Sequence, residues 1–535
     1  MTSLATGKHT FRLRKEVLAI MEFKDDLRQK GFKVRRYRNR RLKTYCEQMS
    51  KDNGTVLFDD NVARVLQEQG YFCEVAPRSI YSVEKLYGSL AAYAPGKAVK
   101  PKPGPALDHG IALAYACFAR PKEAAPLQAL PFTPETIDLV TSKKSASAGL
   151  TAYGCTKGES MARALERGLD TMLGKKAPEP CLAFKRTQFN GKTRLVWGYP
   201  YSMTAIEGLV AKPLIDLFKG RDSCMTFATT TLSIGSRLRA SSRCNKYAYS
   251  LDYSQFDASV SAELIHIAFK ILKSWYDQDQ VEPVSGLTVR EIFKMIEHYF
   301  IHTTIVMPDG NLYLGKDHGV PSGSYFTQMV DSVVNCIAAG CMSHAFKLHV
   351  DKHHLFILGD DCMFWSNSLV SLDQLAAYVD RNLGLHLHGS EKSEVTRFDE
   401  PVHFLGRTWT EGVPDLDLEG IIERMVYPES FRKYPSEPEA RQRAVRILIL
   451  SYAANYRSAW SVAQDCLLGK HTNARHIRNG ELGAMGAAYW TPTGEIPELN
   501  ENAVSGLIRF QMTHLNLYRK HSRWDWPSVA MQFLL

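Results

Sequence analysis

Two short runs of apolar residues meet at a pair of adjacent aspartates in HLFILGDDCMFW, residues 354–365. The first run, residues 355–358, is long enough for a strand that is buried on both faces. The apolar pattern stops at Gly359 and resumes four residues later. It therefore predicts a strand, a tight turn and a second strand, with Asp360 and Asp361 at the turn.

The two carboxylates at this turn create an electrostatic problem. Adjacent carboxylates between apolar strands repel each other and lose hydration. A divalent cation is the usual compensation, and oxygen ligands suit magnesium or manganese. Taken alone, the stretch is better explained as an exposed acidic turn, so the metal-site interpretation depends on partners elsewhere in the chain.

A second acidic segment follows an alternating pattern in KYAYSLD, residues 246–252. The alternation predicts a strand with one aromatic face and one face of small residues, which ends at Asp252. Asp257 follows at the start of a predicted helix, where the helix dipole alone explains an acidic side chain. Asp252 has no such local explanation, which makes it the candidate partner of Asp360 as a metal ligand.

A loop with two glycines, GVPSGS at residues 319–324, precedes a long predicted helix that ends near Ala345. The apolar stripe of this helix is Phe326, Val330, Val333 and Ile337. A polar stripe with a spacing of four residues lies on another face and consists of Thr327, Asp331 and Asn335. Such a stripe is typical of a solvent-exposed helix face. Because it directly follows Ser322 and Gly323, it could also form one side of a sugar-binding site.

The sequence CLAFKRTQFNGKTRLVWGYP, residues 181–200, predicts two strands joined by a turn at Asn190-Gly191. Basic residues lie on both strands, namely Lys185, Arg186, Lys192 and Arg194. Lys192 and Arg194 are two residues apart, so they project from one face of their strand. Because the arginine fork suits phosphate, we interpret the hairpin as a triphosphate or template contact, with a solvated basic hairpin as the alternative.

The N-terminal part is basic. Residues 11–49 have a helical pattern and include a dense basic cluster at 33–43, which suits phosphate contacts and a solvated face equally well. Residues 94–107, APGKAVKPKPGPAL, are rich in Pro, Gly and Lys. They predict an extended connector that ends this N-terminal extension.

Length and composition narrow the class of protein. At 535 residues the chain exceeds one ordinary core, and 45% apolar with 23% charged residues is typical of a soluble folded protein. The net charge of +10 is compatible with a polyanionic partner. The 11 cysteines include no CxxC pair, so neither a zinc module nor a disulfide framework is expected.

Segments that direct a chain to or across a membrane are also recognisable from sequence. The first residues lack the apolar core of a signal peptide. No apolar run approaches the ~20 residues of a membrane span. Both observations favour a soluble protein inside a cell or a particle.

Together these segments resemble the motifs of viral RNA-dependent RNA polymerases, in family order. KRTQFNGKTRLVW resembles motif F, LDYSQFD motif A, GVPSGSYFTQMVDSVVN motif B and LGDD motif C. SASAGL resembles motif G more loosely, HFLGR resembles motif E, and Lys392 stands where motif D has its lysine. Motifs A, B and C fall within about 110 residues. The sequence of motif B and the length of the chain resemble those of polymerases from small double-stranded RNA viruses. Picobirnaviruses are the first match and partitiviruses the second.

The resemblance implies an α+β fold, the right-hand polymerase, in which a palm of antiparallel sheet and helices lies between fingers and a helical thumb. The implied subdomains are an N-terminal extension that bridges fingers and thumb (1–100), fingers (101–245 and 278–312), palm (246–277 with motif A, 313–420 with motifs B to E), and thumb with a C-terminal tail (421–535).

The resemblance also implies nucleotidyl transfer from nucleoside triphosphates on an RNA template, with two Mg²⁺ or Mn²⁺ ions held by Asp252 and Asp360 and assisted by Asp361. Lys392 is implied as the proton donor to the leaving pyrophosphate. The implied nucleotide contacts are Lys185, Lys192, Arg194, Asp257, Ser322, Gly323, Thr327, Asp331 and Asn335. The implied RNA contacts are Ser147, Ala148, Gly149 and Arg407. Motif B usually has Asn where this chain has Asp331, so either Asp331 or Asn335 contacts the ribose.

The expected partners are single-stranded and double-stranded RNA, nucleoside triphosphates and a capsid protein, for a monomer without a membrane contact in the virion interior or host cytoplasm. The expected activity is transcription and replication of a viral double-stranded RNA genome. The C-terminal segment with Trp524 and Trp526 either packs against the thumb or forms a stacking platform for unprimed initiation.

Three other classes of protein share some of these features. A reverse transcriptase normally keeps its sugar gate apolar or aromatic where this chain has Asp257, and commonly has an aromatic residue before its aspartate pair where this chain has Leu358-Gly359. A two-metal nuclease could use the same carboxylates but needs neither a 2′-hydroxyl gate nor a triphosphate-binding hairpin. A non-catalytic RNA-packaging protein would not need Asp252 and Asp360 intact.

Overall fold

A computed structural model describes residues 21–39, 42–51, 58–73, 82–187, 193–220, 223–227, 229, 231–428, 434–456, 458–459, 462 and 465–466. Two of the features considered above lie outside these ranges. They are the Asn190-Gly191 turn with Lys192, and the C-terminal segment with Trp524 and Trp526.

The described chain contains both helices and strands, with most of the helices before residue 180 and after residue 417 forming uninterrupted series. The helices are α1 (Leu42–Lys51), α2 (Asp60–Glu68), α3 (Val83–Ala91), α4 (Pro105–Phe118), α5 (Pro134–Val140), α6 (Met161–Met172), α7 (Tyr201–Gly220), α8 (Thr231–Cys244), α9 (Phe256–Ser259), α10 (Ala262–Lys273), α11 (Val289–Ile301), α12 (Thr327–Phe346), α13 (Leu372–Leu383), α14 (Leu418–Val426) and α15 (Pro438–Asn455). The strands are β1 (Lys33–Arg36), β2 (Cys181–Thr187), β3 (Thr193–Gly198), β4 (Tyr247–Leu251), β5 (Ile305–Val306), β6 (Asn311–Leu314), β7 (Leu355–Leu358), β8 (Asp361–Ser366), β9 (Glu394–Arg397), β10 (Val402–Phe404), β11 (Arg407–Thr410) and β12 (Val413–Asp415).

A four-stranded antiparallel sheet carries the two acidic segments, with the strand order β7-β8-β4-β9. β7 and β8 form the hairpin that the apolar pattern predicts, with Leu358 opposite Asp361 at the turn. β4 lies beside β8, with Leu251 opposite Cys362. Because β4 ends one residue before Asp252 and β8 begins at Asp361, this register brings both aspartates to the same edge of the sheet.

Helix α12 packs against β7 and, more extensively, against α4. Its residues 329–343 are all buried. The two helices approach at glycines: a Cβ on Gly110 would lie 2.4 Å from the Ile337 carbonyl oxygen, and one on Gly340 would lie 2.6 Å from the Gly110 Cα. Glycine at both positions therefore allows the close approach of α4 and α12.

Helix α12 is also long and apolar enough to cross a membrane, which differs from the expectation of no such run. However, 83% of its most apolar window is buried inside the protein. A core helix meets the same length and composition criteria as a membrane span, and burial on this scale is typical of a core helix.

A second sheet has five strands in the order β1-β6-β5-β2-β3. The helical pattern expected for residues 11–49 is wrong at residues 33–36, because these form β1 and pair antiparallel with β6, Lys33 opposite Leu314. Pairing with an available sheet edge outweighs the local helical preference there. The irregular connector is confirmed for residues 94–104, and α4 begins at Pro105.

Apolar burial forms one large cluster and two smaller ones. The large cluster surrounds α12 and includes residues 86–94 of the N-terminal part. One smaller cluster joins α2 to α14 and α15 through Val62, Leu66, Ile421 and Ile449. The N-terminal part therefore contacts both the main body of the protein and the C-terminal helices.

Candidate active site

The turn between β7 and β8 is held from below by α12. Gly359 has φ +67°, a left-handed conformation that favours glycine. The Asn335 Nδ2 donates hydrogen bonds of 3.0 Å to the carbonyl oxygens of Gly359 and Asp360. The Ser332 hydroxyl accepts from the Gly359 N–H at 2.9 Å. These bonds fix the backbone of the turn, while the side chains of Asp360 and Asp361 reach solvent.

Asp252 completes a group of three neighbouring carboxylates. Its side chain is 54% exposed at the edge shared with Asp361. Asp361 also reaches solvent. The surrounding protein nevertheless removes part of the hydration of its carboxyl group, and this desolvation, followed by the charges of Asp360 and Asp252, raises its pKa to about 7. Carboxylates that repel one another and reach solvent are a donor set that fits divalent cations.

Two more acids, Asp257 and Asp331, lie next to this group. Burial and then the charge of Asp360 raise the pKa of Asp257 to about 7, and the positive charge of Arg194 opposes the rise. Burial, followed by the charges of Asp257 and Asp360, raises the pKa of Asp331 well above its ordinary value. Asp331 is only 3% exposed, and its Oδ1 has no hydrogen-bond partner within the described ranges. An incoming hydroxyl group would satisfy this buried acceptor.

The polar stripe of α12 divides into three different roles. The Thr327 hydroxyl donates to the carbonyl oxygens of Pro321 and Ser324, at 2.7 and 3.0 Å, and so closes the preceding loop. The Asn335 amide is fully buried and is engaged with the turn. Asp331 is the member of the stripe that remains beside Asp257.

The 319–324 loop packs closely against β3. The Ser322 hydroxyl accepts from the Trp197 N–H at 3.2 Å. A Cβ on Gly323 would lie 1.9 Å from the Trp197 carbonyl oxygen, so no larger residue fits without a backbone shift. Tyr93 reaches the same loop from the N-terminal part, and its hydroxyl donates to the Val320 carbonyl at 3.2 Å.

Glu207 on α7 supports this loop and was not a candidate from the sequence. Its carboxylate is fully buried and accepts from the Ser324 hydroxyl at 2.7 Å and from the Tyr325 N–H at 2.8 Å. Burial raises the pKa of Glu207 to about 7, and the two hydrogen bonds and the charge of Lys157 oppose the rise. The available signal was a lone acid within the apolar helical stretch YSMTAIEGLV.

The basic hairpin β2-β3 presents different cations on its two faces. Arg186 lies opposite Arg194, and Lys185 lies opposite Leu195. Directly opposed residues point to the same side of a sheet, so Lys185 points away from the face of Arg194. The charge of Arg194 acts on both Asp257 and Asp361, which places it on the side of the carboxylates.

Lys392 lies beside Asp252 through a histidine. The Lys392 ammonium is 3.1 Å from the His388 Nε2, and this ring nitrogen is 3.8 Å from the Asp252 Oδ2. Ser393 accepts from the Asp252 N–H at 3.1 Å. His388 was not a candidate from the sequence, because its neighbour Asp252 comes from a distant segment of the chain.

The implied RNA contacts differ in their exposure. Ser147 is exposed, whereas Ala148 and Gly149 are buried, and a Cβ on Gly149 would lie 2.8 Å from the Tyr199 carbonyl oxygen. Two members of this trio therefore contact protein. Arg407 is the first residue of β11, and its guanidinium lies 5.5 Å from the centre of the Tyr456 ring.

Comparison with known proteins identifies the class. A family model described as viral RNA-dependent RNA polymerase matches residues 134–459, which is more than half of the chain. The chain therefore belongs to the viral RNA-dependent RNA polymerase family, as its motifs indicated.

The solved structures agree in fold. The crystal structure of the RNA-dependent RNA polymerase of a human picobirnavirus superposes with a TM-score of 0.62 at 15% identity, over 91% of this chain and 94% of that one. The Sicinivirus 3Dpol RNA-dependent RNA polymerase does so with a TM-score of 0.56 at 15% identity, over 75% and 88%. The expected α+β right-hand polymerase fold is confirmed.

Relatives by sequence carry the same family name. The RNA-directed RNA polymerase of Cryptosporidium parvum virus 1 (strain KSU-1) is 29% identical over 353 residues, which are 59% of this chain and 64% of the relative. That of Atkinsonella hypoxylon virus (isolate 2H) is 25% identical over 352 residues, 56% of this chain and 52% of the relative. The chain thus spans between about half and just under two thirds of these two relatives.

The buried carboxylate predicts a pH dependence of stability. Because the folded-state pKa of Glu207 is about 7, above the ordinary glutamate value, its stabilising contribution is present at low pH and is lost as pH rises through 7. The Glu207→Gln side chain is neutral at every pH. We therefore expect the unfolding free energy of this variant, relative to that of wild type, to be higher at pH 8 than at pH 5 by on the order of 1–3 kcal/mol. Urea unfolding at the two pH values measures the difference.

The exposed Glu84 provides the control. Glu84→Gln should leave the pH profile unchanged. Parallel profiles for wild type and Glu207→Gln would contradict a raised pKa at Glu207.

Proposed function

We propose that this chain is an RNA-dependent RNA polymerase that synthesises RNA from nucleoside triphosphates on an RNA template. The observation that carries the proposal is the convergence of Asp252 with the Asp360-Asp361 turn, since these residues lie more than 100 positions apart. Family membership and the adjacent Arg194 and Asp257 support it.

Asp252 and Asp360, with Asp361, would hold two Mg²⁺ or Mn²⁺ ions. When bound, such ions stabilise the developing charge on the phosphate and lower the pKa of the attacking 3′-hydroxyl. Phosphoryl transfer needs positioning and charge stabilisation more than covalent chemistry, so a rigid acidic turn is suited to it. The bonds from Asn335 and Ser332 give the turn that rigidity.

The remaining residues act on the nucleotide and on protons. Arg194 binds the triphosphate by charge-assisted hydrogen bonds, with Lys192 as a further proposed contact. Lys185 points to the other face of the hairpin, so its expected nucleotide contact stays a prediction from the sequence. Ser322 and Gly323 form the loop beside the sugar. Lys392 holds the proton proposed for the leaving pyrophosphate, and its contact with His388 keeps its ammonium near Asp252.

We assign the ribose contact to Asp331 together with Asp257, and not to Asn335. The Asp331 Oδ1 and the Asn335 Oδ1 are both buried acceptors without a partner in the described part of the chain. Asp331 lies beside Asp257, whereas the Asn335 Nδ2 donates to the carbonyl oxygens of the turn, and this difference favours Asp331. Thr327 supports the loop and contacts the sugar indirectly.

The proposal extends to the surroundings of the site. Ser147, Ala148, Gly149 and Arg407 belong to the proposed RNA path. The fingers, palm and thumb follow the boundaries given above, with the N-terminal part joining fingers to thumb through α2. The proposed setting is the virion interior or host cytoplasm, where a monomer would transcribe and replicate a double-stranded RNA genome next to a capsid protein.

Incubation with a defined single-stranded RNA, the four ribonucleotides and Mg²⁺ or Mn²⁺ tests the reaction. We expect complementary RNA of full template length. In a parallel reaction with the four deoxynucleotides, product formed there and not with ribonucleotides would indicate a reverse transcriptase. Shortened template without synthesis in either reaction would indicate a nuclease. Either result overturns the proposal.

The assignment of the ribose contact makes a separate prediction. Asp257→Ala and Asp331→Ala should each reduce the preference for ribo- over deoxynucleotides by roughly 10- to 100-fold, the effect of one lost hydrogen bond to a charged or buried group. Asn335→Ala should instead lower incorporation of both sugars equally, because it loosens the turn. Single-nucleotide incorporation with paired ribo and deoxy substrates measures the ratio, and an unchanged ratio in Asp257→Ala would remove Asp257 from sugar recognition.

A further inference from the structure

Three cysteines from distant parts of the chain meet behind the acidic turn. Cys117 at the end of α4, Cys224 before α8 and Cys336 in the middle of α12 have sulfur atoms within 4.8 Å of one another. All three are nearly or fully buried, at 4%, 1% and 0% exposure. They are about 110 residues apart in sequence, so no spacing motif announces them.

The separation of the sulfurs is close to that of a metal-thiolate site. A tetrahedral zinc ion about 2.3 Å from each sulfur places the sulfurs about 3.8 Å apart. The three thiols need to move inward by about 1 Å at most to reach that geometry. All 11 cysteines are free thiols, so none of the three is engaged in a disulfide.

Burial raises the pKa of the Cys336 thiol, and the other two thiols of the cluster lie near cations that favour the thiolate form. Hydrogen bonds from the Cys224 and Cys336 thiols, with the charge of Lys352 adding to them, lower the pKa of the Cys117 thiol. Burial raises the pKa of Cys224, but the charge of Arg237 opposes the rise. Three thiolates around a divalent ion carry a net charge of −1, which nearby cations would balance.

A cavity supplies the fourth coordination position. It has a volume of about 290 Å³ and is lined by Cys117 and Cys224 together with Arg237, Lys352, His353 and His354. The His354 Nδ1 is 2.9 Å from the Ser241 hydroxyl, which orients the ring as a supporting hydrogen bond does for a metal-bound histidine. His354 lines the cavity but is not among the ligand atoms that lie within 4.8 Å of one another, so a water molecule from the cavity is the fourth ligand that we expect.

We propose that Cys117, Cys224 and Cys336 form a binding site for one thiophilic divalent metal ion, of the zinc class, separate from the carboxylate site. The absence of a CxxC pair gave no reason to expect such a site, because the three proposed ligands come together only in the folded protein.

The location gives the site a structural consequence. Cys336 follows Asn335, whose amide supports the acidic turn, and the Cys224 carbonyl accepts from the Ile357 N–H of β7 at 2.9 Å. A bound ion would therefore join α4, α12 and the segment that pairs with β7. It would hold in place the elements beneath the turn without contacting substrate.

Cobalt absorption tests the site directly. The full-length protein, reduced and stripped of metal, is titrated with Co²⁺ in excess Mg²⁺, which occupies carboxylate sites. We expect one equivalent of Co²⁺ to produce the intense near-ultraviolet band of thiolate-to-cobalt charge transfer, and Zn²⁺ to displace it. Cobalt on carboxylates lacks this band, so the readout is independent of polymerase activity.

Substitution and alkylation assign the ligands. Cys336→Ser should weaken Co²⁺ binding by on the order of 100-fold or more, since even the loss of a supporting residue costs 10- to 100-fold. Cys341→Ser is the matched control, because Cys341 is buried on the same helix outside the cluster. In the wild-type protein, Zn²⁺ should protect Cys117, Cys224 and Cys336 from modification by iodoacetamide, as measured by peptide mass spectrometry. This measurement assigns the ligands without a variant, so it is informative even where Cys336→Ser folds poorly.

Two results would overturn the proposal. One is the absence of a stoichiometric thiolate-cobalt band in the reduced wild-type protein. The other is zinc protection of different cysteines, or binding that Cys336→Ser leaves unchanged.

Discussion

Replacing Asp360 with alanine is expected to abolish nucleotide incorporation, with a loss on the order of 10³-fold or more. The metal-ion contribution to charge stabilisation is several kcal/mol, and each 1.36 kcal/mol in the barrier changes the rate about tenfold. Asp360 is at the tip of a turn whose backbone is held by Asn335. Its carboxylate therefore has a defined position, and alanine removes a positioned metal ligand. RNA binding should persist, because removal of a negative charge does not weaken contacts to phosphates.

Extension of a labelled primer or template measures the rate, and filter binding measures RNA affinity. Asp399→Ala is the control, since Asp399 is exposed and lies at the far side of the same sheet in a solvated ion pair. Synthesis retained in Asp360→Ala would remove Asp360 from the metal site. A parallel loss of RNA binding would indicate a folding defect in place of a chemical one.

Replacing Gly323 with alanine is expected to reduce incorporation by about 100-fold or more and to destabilise the protein by about 1–3 kcal/mol. The new Cβ would stand 1.9 Å from the Trp197 carbonyl oxygen and 3.1 Å from the Tyr199 ring. The first contact is with backbone, so either the 319–324 loop or β3 must shift. Both elements border the proposed nucleotide site, and a displacement near 1 Å is enough for such a loss.

Gly88→Ala is the matched control. Gly88 lies in α3, no atom stands within 4 Å of its added Cβ, and alanine favours a helix, so this variant should be neutral or slightly more stable. Steady-state incorporation and thermal unfolding compare the two. Wild-type activity in Gly323→Ala would show that the loop adjusts freely and that its packing against Trp197 is dispensable.

The elements that the sequence predicted best are those with a strong local pattern. The strand, turn and strand around residues 355–366, strand β4 and helix α12 follow from runs or alternation of apolar residues. Gly384, at φ +70°, ends α13 in the left-handed conformation that favours glycine. These elements depend mainly on interactions within a few residues.

The parts that the sequence did not predict depend on distant partners. Residues 33–36 form a strand only because the edge of β6 accepts them. The division of the polar stripe among Thr327, Asp331 and Asn335 depends on which backbone groups lie opposite each side chain, and a helical wheel does not contain that information. The same holds for His388 and Glu207, whose neighbours come from other segments.

The crossing of α4 and α12 at Gly110 and Gly340 links the two halves of the site mechanically. Helix α12 carries both Asp331, the acid proposed to contact the sugar, and the Asn335 amide beneath the acidic turn. A side chain inserted at the crossing would therefore displace both at once. Fidelity and catalytic rate should therefore deteriorate together in such variants, although neither glycine touches a substrate. A screen for slow and error-prone forms would find this remote contact alongside the aspartates themselves.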